Sequence, residues 1–342
     1  MLIITKENAG RDSLDALLSY IAQNGFNYCQ AEDAGKKIIS VELEDAYLHT
    51  NYIESFDCIE KVVVNEPPYK NAVREPGMKD TAVKIGESIV GGGNIALIAG
   101  PCSIESAEQA GRIAEKIAAR GIKLFRGGIY KPRTSPYSFQ GLAAEGIEIL
   151  KYIRTKYKLG IVTELLDVRH IEKIYDTADV IQIGSRNAMN YELLKEAGKL
   201  DKPVLLKRGM SSSIKEFLLS AEYILCRGNK NVILCERGIR TFENSYRNTL
   251  DITAIPIIKD LSHLPIIVDP SHSCGKWNYI GSLSLAAVAA GSDGVMIEVH
   301  DRPEEALSDA EQALKPERLD DIILKISEMA KLLNKKFDCG IK

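Results

Sequence analysis

The stretch IALIAGPCS (residues 95–103), followed after two residues by SAEQAGRIAEKIAARG (106–121), decides the reading of this chain. The first is a short apolar run of the length of a buried strand. In the second, Ile113 and Ile117 stand four apart on one helical face, and Gly121 is placed for a left-handed C-terminal residue. A buried strand followed by an amphipathic helix is one β/α unit. The alternation recurs at KLFRGG (123–128), GIVTEL (160–165), VIQIGS (180–185), PVLLKRG (203–209), VILCERG (232–238), PIIVDPS (265–271) and GVMIEVH (294–300). Eight units in about 245 residues predict an α/β fold of the closed (β/α)8 TIM-barrel kind. An open doubly wound sheet is the alternative, but it rarely needs eight strands, and no GxGxxG follows the first run.

Upstream the period differs. LIIT (2–5), a helical DSLDALLSYIAQNG (12–25), FNYCQA (26–31), KIISVEL (37–43), a short helix near Asp45 to Glu54 and CIEKVVV (58–64) follow the order of a ferredoxin-like split βαβ. The segment NEPPYKNAVREPGM (65–78) is rich in proline and charge. The expected division is a small ferredoxin-like domain at 1–65, a linker at 66–80, and a barrel domain at 81–342 opened by a hairpin at TAVKIGESI (81–89).

Composition narrows the function. The 342 residues, 45% hydrophobic, can fill a large core, so disorder is not expected. With 44 Lys and Arg against 47 Asp and Glu, a net charge of −3 gives no general attraction for nucleic acid or an anionic membrane. The first 65 residues are not basic and lack the aromatic pattern of an RNA-binding sheet. No secretory leader or membrane span is read, which places the protein in the cytoplasm. Seven scattered cysteines without CxxC spacing argue against a disulfide framework and leave one free to act as a ligand.

Barrel chemistry sits at the C-terminal ends of the strands, and those ends are basic. Arg126, Arg186, Lys207 with Arg208, and Arg237 close or follow runs two, four, five and six; Lys131 and Arg133 lie on the loop after run two. Taken singly, each pairs plausibly with an acid on a nearby helix. Together, partly buried cations converging on one mouth ask for polyanionic ligands, two phosphoryl groups and a carboxylate. A second set is Cys102 after run one, His272 after run seven and Glu298 in run eight, which barrel closure makes neighbours. Asp301 or Asp309 completes four ligands. Thiolate, imidazole and carboxylate together favour Mn, Fe, Co or Zn. Each has an ordinary role alone: a core thiol, a turn histidine, an ion-pair partner. His49 and His170 read as surface residues, His263 has no company, and His300 reads as a residue behind the ligands.

GPCSIES (100–106), KPRTSPYSFQG (131–141), GSRN (184–187), LLKRG (205–209) and VDPSHS (268–273) with the later EVH (298–300) closely resemble 3-deoxy-D-arabino-heptulosonate 7-phosphate synthases. The likeness covers nearly all of residues 80–335 and points to the subclass with a small ferredoxin-like domain before the barrel. It implies a transferase that condenses phosphoenolpyruvate with erythrose 4-phosphate by aldol-type chemistry, opening the shikimate pathway to aromatic amino acids. It further implies one divalent metal ion, a homotetramer, and regulation by an aromatic amino acid. The implied phosphoenolpyruvate contacts are Arg126, Lys131, Arg186, Lys207 and Arg237; those to the aldose phosphate are Arg133, Thr134 and Ser185. The implied metal ligands are Cys102, His272, Glu298 and, of the two acids, Asp309. Lys131 is the candidate proton donor and Glu164 the candidate water-orienting group, though Glu164 also reads as an ion-pair partner of Arg126 or Lys131.

The sister family, which makes 3-deoxy-D-manno-octulosonate 8-phosphate from arabinose 5-phosphate, usually carries an asparagine-containing segment in place of Lys131 to Thr134 and lacks the N-terminal unit; erythrose 4-phosphate is therefore the expected aldose. A departure is SCGKWNY (273–279), where Cys274 and Trp277 replace the smaller or basic residues expected. A catalytically silent, ligand-sensing barrel is the rival class, and the intact ligand and cation sets oppose it.

Overall fold

The computed structural model describes residues 1–43, 46–64, 67–133, 135–337 and 339. The chain divides into two compact units, Met1–Lys70 and Asn71–Lys342.

The first unit runs β1 (Leu2–Thr5), α1 (Arg11–Gln23), β2 (Asn27–Asp33), β3 (Lys36–Glu42), α2 (Ala46–Glu54) and β4 (Ile59–Val63). Its antiparallel sheet has the order β2-β3-β1-β4, the ferredoxin-like arrangement. Apolar residues at helical spacing, Leu14, Leu17 and Ile21, meet Ile3, Ile39 and Val41 from the sheet, and Ile53 of α2 closes the core. At the sheet edge every residue of β2 is exposed.

The second unit begins with β5 (Ala82–Ile85) and β6 (Ser88–Gly91), the expected hairpin. It continues with β7 (Asn94–Gly100), α3 (Ala107–Ala118), β8 (Leu124–Arg126), α4 (Ala144–Tyr157), β9 (Gly160–Glu164), α5 (Ile171–Tyr175), β10 (Val180–Ile183) and α6 (Tyr191–Ala197). Then come β11 (Val204–Lys207), α7 (Ile214–Leu225), β12 (Val232–Glu236), α8 (Ala254–Leu261), β13 (Ile266–Val268), α9 (Pro270–Cys274), α10 (Ile280–Ala289), β14 (Gly294–Glu298), α11 (Leu319–Leu332) and β15 (Lys336–Phe337). Each apolar run of the sequence is thus a strand, β7 to β14. They pair in parallel in chain order, and β14 returns to β7 with Glu298 opposite Gly100, closing the barrel.

The hairpin plugs the N-terminal mouth. Val83, Ile85 and Val90 join one buried cluster with the inward residues Ile98, Val162, Leu205, Ile233 and Met296. Each such aliphatic side chain contributes about 1.5–3 kcal/mol by burial. Residues ahead of it are also fastened: Val73 bridges Ser262, and the Arg74 guanidinium bonds Asp80 and the carbonyls of Lys259 and Ser262. With the bottom filled, the C-terminal rim is left to carry the site. Among the described residues, no helix is long and apolar enough to cross a membrane.

Candidate active site

The rim assembles because several strands end on a charged residue before the chain turns outward. Arg126, Glu164, Lys207 and Glu298 are the last residues of β8, β9, β11 and β14, and Arg237 follows β12. The loop after β13 becomes α9, where Asp269 caps the helix by accepting from the His272 N–H at 2.9 Å. A cavity of about 330 Å³ opens there; its wall includes Arg126, Lys131, Arg133, Glu164, Ser185, Arg186, Lys207, Arg237, His272 and Asp309. Cys102 lies beneath it, in a small void shared with Arg126, Lys131, Glu164 and Gln182. Thr134 is outside the described residues.

The cations divide by their company. Arg126 stands 3.1 Å from Glu298 and 3.8 Å from Asp269, and Lys207 is bonded to Asp269. Arg208 turns away from the cavity to bind Glu236 at 2.9 Å and Asp251 at 2.8 Å, which fixes the chain around its neighbour Lys207. Arg237 is buried, its guanidinium reaching, among the described residues, only the Gly238 carbonyl at 3.4 Å, and burial pushes its pKa down. Neither Arg186 nor Arg237 has a carboxylate partner among the described residues, so an anion in the cavity would meet both. Lys131 points its ammonium at the Cys102 sulfur and carbonyl, each 3.1 Å away. Burial opposes that charge, but the Cys102 sulfur and Glu164 outweigh it and hold Lys131 above the ordinary lysine range.

Cys102, His272, Glu298 and Asp309 each offer one ligand atom, all within 4.8 Å of one another. Burial, with Glu298 alongside, pushes the Cys102 thiol up to about 12. Burial also pushes His272 down to about 4, so at neutral pH its ring is uncharged. Nδ1 is 2.8 Å from Asp269 Oδ2, which makes it the protonated nitrogen and leaves the Nε2 lone pair facing Glu298 Oε1 at 3.2 Å. That oxygen is buried without a hydrogen bond, and its close cation is the Arg126 guanidinium at 3.1 Å. Two acceptors facing each other beside a buried thiol and a carboxylate form a donor set that a divalent cation satisfies, since coordination removes the thiol proton. The residues therefore fit such an ion.

The other expectations separate. Asp301 bonds Arg112 at 2.5 Å and stands outside the cluster, so Asp309 is the acid of the pair that joins it. His300 meets Glu105 at 3.4 Å and the Arg302 N–H at 3.0 Å rather than a ligand. His170 is half-buried, stacked on Tyr130 at 4.0 Å, and His49 is bonded to the Tyr20 hydroxyl at 2.7 Å; neither is a free surface residue. Thr81 and the Asn71 carbonyl hold His263, each at 2.7 Å. Arg133 bonds Ser308 at 2.6 Å, next to Asp309. Cys274 is buried with its thiol on the Pro270 and Lys276 carbonyls, while Trp277 carries the Arg318 guanidinium 4.1 Å above its ring.

Sequence reasoning misses Asp269, Gln182, Arg247, Ser308 and Gln312. Asp269 was findable, because it follows run seven directly. Arg247, Ser308 and Gln312 lie on loops without periodicity and give no local signal.

The model of the DAHP synthetase I family matches residues 76–335. The chain belongs to the DAHP synthetase I family. The phospho-2-dehydro-3-deoxyheptonate aldolase of Thermotoga maritima is 44% identical over 98% of this chain and 99% of its own length. The crystal structure of a Thermotoga maritima DAHP synthase superposes with a TM-score of 0.91 at 43% identity, covering 98% of both chains. A 2-dehydro-3-deoxyphosphooctonate aldolase of Koribacter versatilis is 33% identical over 68% of this chain and 89% of its own.

Proposed function

We propose that this DAHP synthetase I family member condenses phosphoenolpyruvate with erythrose 4-phosphate, releasing phosphate and giving 3-deoxy-D-arabino-heptulosonate 7-phosphate. The observation that carries this reading is a cavity in which Arg186 and Arg237, without a carboxylate partner among the described residues, share a wall with His272 and Asp309, which cluster with Cys102 and Glu298. The full-length Thermotoga relative, named for the heptonate reaction, supports the same choice over the octonate one.

In this reading Arg126 and Lys131 hold the carboxylate of phosphoenolpyruvate, while Arg186, Lys207 and Arg237 hold its phosphate. Arg133, Thr134 and Ser185 take the aldose phosphate, so that C3 of the enol ether lies against the aldehyde carbon. Cys102, His272, Glu298 and Asp309 would hold one Mn, Fe, Co or Zn ion. When bound, such an ion supplies Lewis acidity toward the aldehyde oxygen. As the C3–C bond forms, Lys131, charged at neutral pH, gives its proton to that oxygen. C2 becomes electron-poor and takes up water, which Glu164 orients and deprotonates. The hemiketal phosphate then collapses, breaking the C2–O bond to phosphate.

The same reading makes residues 1–65 a regulatory domain that responds to tyrosine or phenylalanine and 81–342 the catalytic domain; of the stretch 66–80 between them, residues from Asn71 onward pack with the second unit. It places the enzyme in the cytoplasm as a homotetramer. Tyrosine titration of the initial rate and a light-scattering mass test the first and last of these. For the reaction itself, chelation is expected to abolish turnover and Mn to restore it; full activity after exhaustive chelation would remove the ion from the reaction. Rates with erythrose 4-phosphate should far exceed those with arabinose 5-phosphate, and a preference for the pentose would replace this reading by the octonate one.

A further inference from the structure

Gln312 ends a 3-10 turn, Ala310–Gln312, that follows Asp309, and only 2% of it is exposed. Its amide lies between groups of opposite need. Nε2 donates to Glu298 Oε2 at 2.5 Å, and Oε1 accepts from Arg247 Nη1 at 2.8 Å. A carboxylate only accepts and a guanidinium only donates, so the neighbours fix which way the amide faces. The same Arg247 nitrogen lies 3.3 Å from Asp309 Oδ1. The backbone is tied to the same residue, because the Leu314 N–H donates to the Glu298 carbonyl at 2.8 Å.

We propose that Gln312 is a positioning residue for the cation centre: it occupies Glu298 Oε2, so that Glu298 offers one oxygen, and through Arg247 it sets the Asp309 carboxylate. This rests on the reading of Cys102, His272, Glu298 and Asp309 as a cation centre. With Oε2 engaged, the oxygen left over is Oε1, which has no hydrogen bond and lies 3.2 Å from His272 Nε2 and 3.1 Å from the Arg126 guanidinium. A glutamine suits the place because it donates on one side and accepts on the other. A glutamate there would set carboxylate against carboxylate, and a methionine would fill the volume while releasing both partners.

The test uses the full-length protein, Co(II), a competing chelator to measure affinity, and visible absorption. The wild type should bind Co(II) with a sulfur-to-cobalt charge-transfer band that Cys102→Ala loses. Gln312→Met should bind about 10–100-fold more weakly, with shifted ligand-field bands, because Glu298 can then turn a second oxygen to the ion. Gln312→Glu, closer in shape, should change in the same direction and serves if the methionine variant does not fold. A residue that only supports the fold would lower the unfolding temperature and leave the bands in place. Wild-type affinity and bands in a folded Gln312 variant would overturn the positioning role. Absence of Co(II) binding by the wild type, or a charge-transfer band that survives Cys102→Ala, would instead overturn the cation centre, and the positioning role with it.

Discussion

At Gly184 the lack of a side chain admits the Glu164 carboxylate: a Cβ there would stand 1.9 Å from Glu164 Oε1. The Glu164 carboxylate has no hydrogen-bonding partner among the described residues, and its charge acts on Arg126 and Lys131. A methyl group at 184 must therefore displace it. Gly184→Ala is expected to lower kcat about 100-fold, with the unfolding temperature nearly unchanged, because small misplacements of reacting groups are costly. Steady-state kinetics beside a thermal melt check this, and an unaltered kcat would take Glu164 out of the reaction. At this scale the sequence was readable wherever a residue directly follows a strand, as with Arg126, Lys207, Arg237 and Glu298, because parallel strands deliver their last residues to one rim. Arg247 and Gln312 could not be read that way. Their partners, Asp309 and Glu298, are found only after long loops have folded back.

Among the elements, the segment ahead of the hairpin behaves as part of the barrel. Asp80 joins Arg74 at 2.5 Å and Lys259 at 3.4 Å, and Lys259 continues to the buried Asp293 at 2.9 Å. Burial alone would raise the Asp80 pKa; the Arg74 hydrogen bond and the Lys259 charge outweigh it and hold the carboxyl below its usual value. A depressed carboxyl pKa stabilises the fold above the unfolded value, near pH ~4, and that contribution is lost as pH falls through the folded value. Asp80→Asn should thus be less stable at pH 7 by about 1 kcal/mol or less, since the group is partly exposed and screened. The gap between variant and wild type should close below pH ~4. Urea unfolding at both pH values measures it, and a gap that persists in acid would assign the effect to packing. Proline and charge in residues 65–78 suggested a linker because composition reports solvation. It does not report that Arg74 finds carbonyl partners in a helix end 185 residues away.

For the molecule as a whole, Asn71–Lys342 contains the barrel, its plug and every group lining the cavity. This fragment is expected to fold and to condense both substrates at a rate within about tenfold of the full chain, as a preorganised site on rigid strands predicts. A melt and an initial-rate assay on the fragment decide it; a folded but inert fragment would make the first unit a participant in the chemistry. The global fold was legible because eight apolar runs with helical interludes have one economical closure.

That closure also sets a timetable. Cys102 and Asp309 are 207 positions apart, on either side of the seam where β14 meets β7. A nascent polypeptide emerges from its N-terminus onward, so it exposes the thiol long before the carboxylates that would share its burden exist. An ion held by Cys102, His272, Glu298 and Asp309 would therefore be captured late in biosynthesis, and a product truncated before Asp309 would lack one of the four donors. Full occupancy in the cell would serve as a certificate that the ribosome had passed β14.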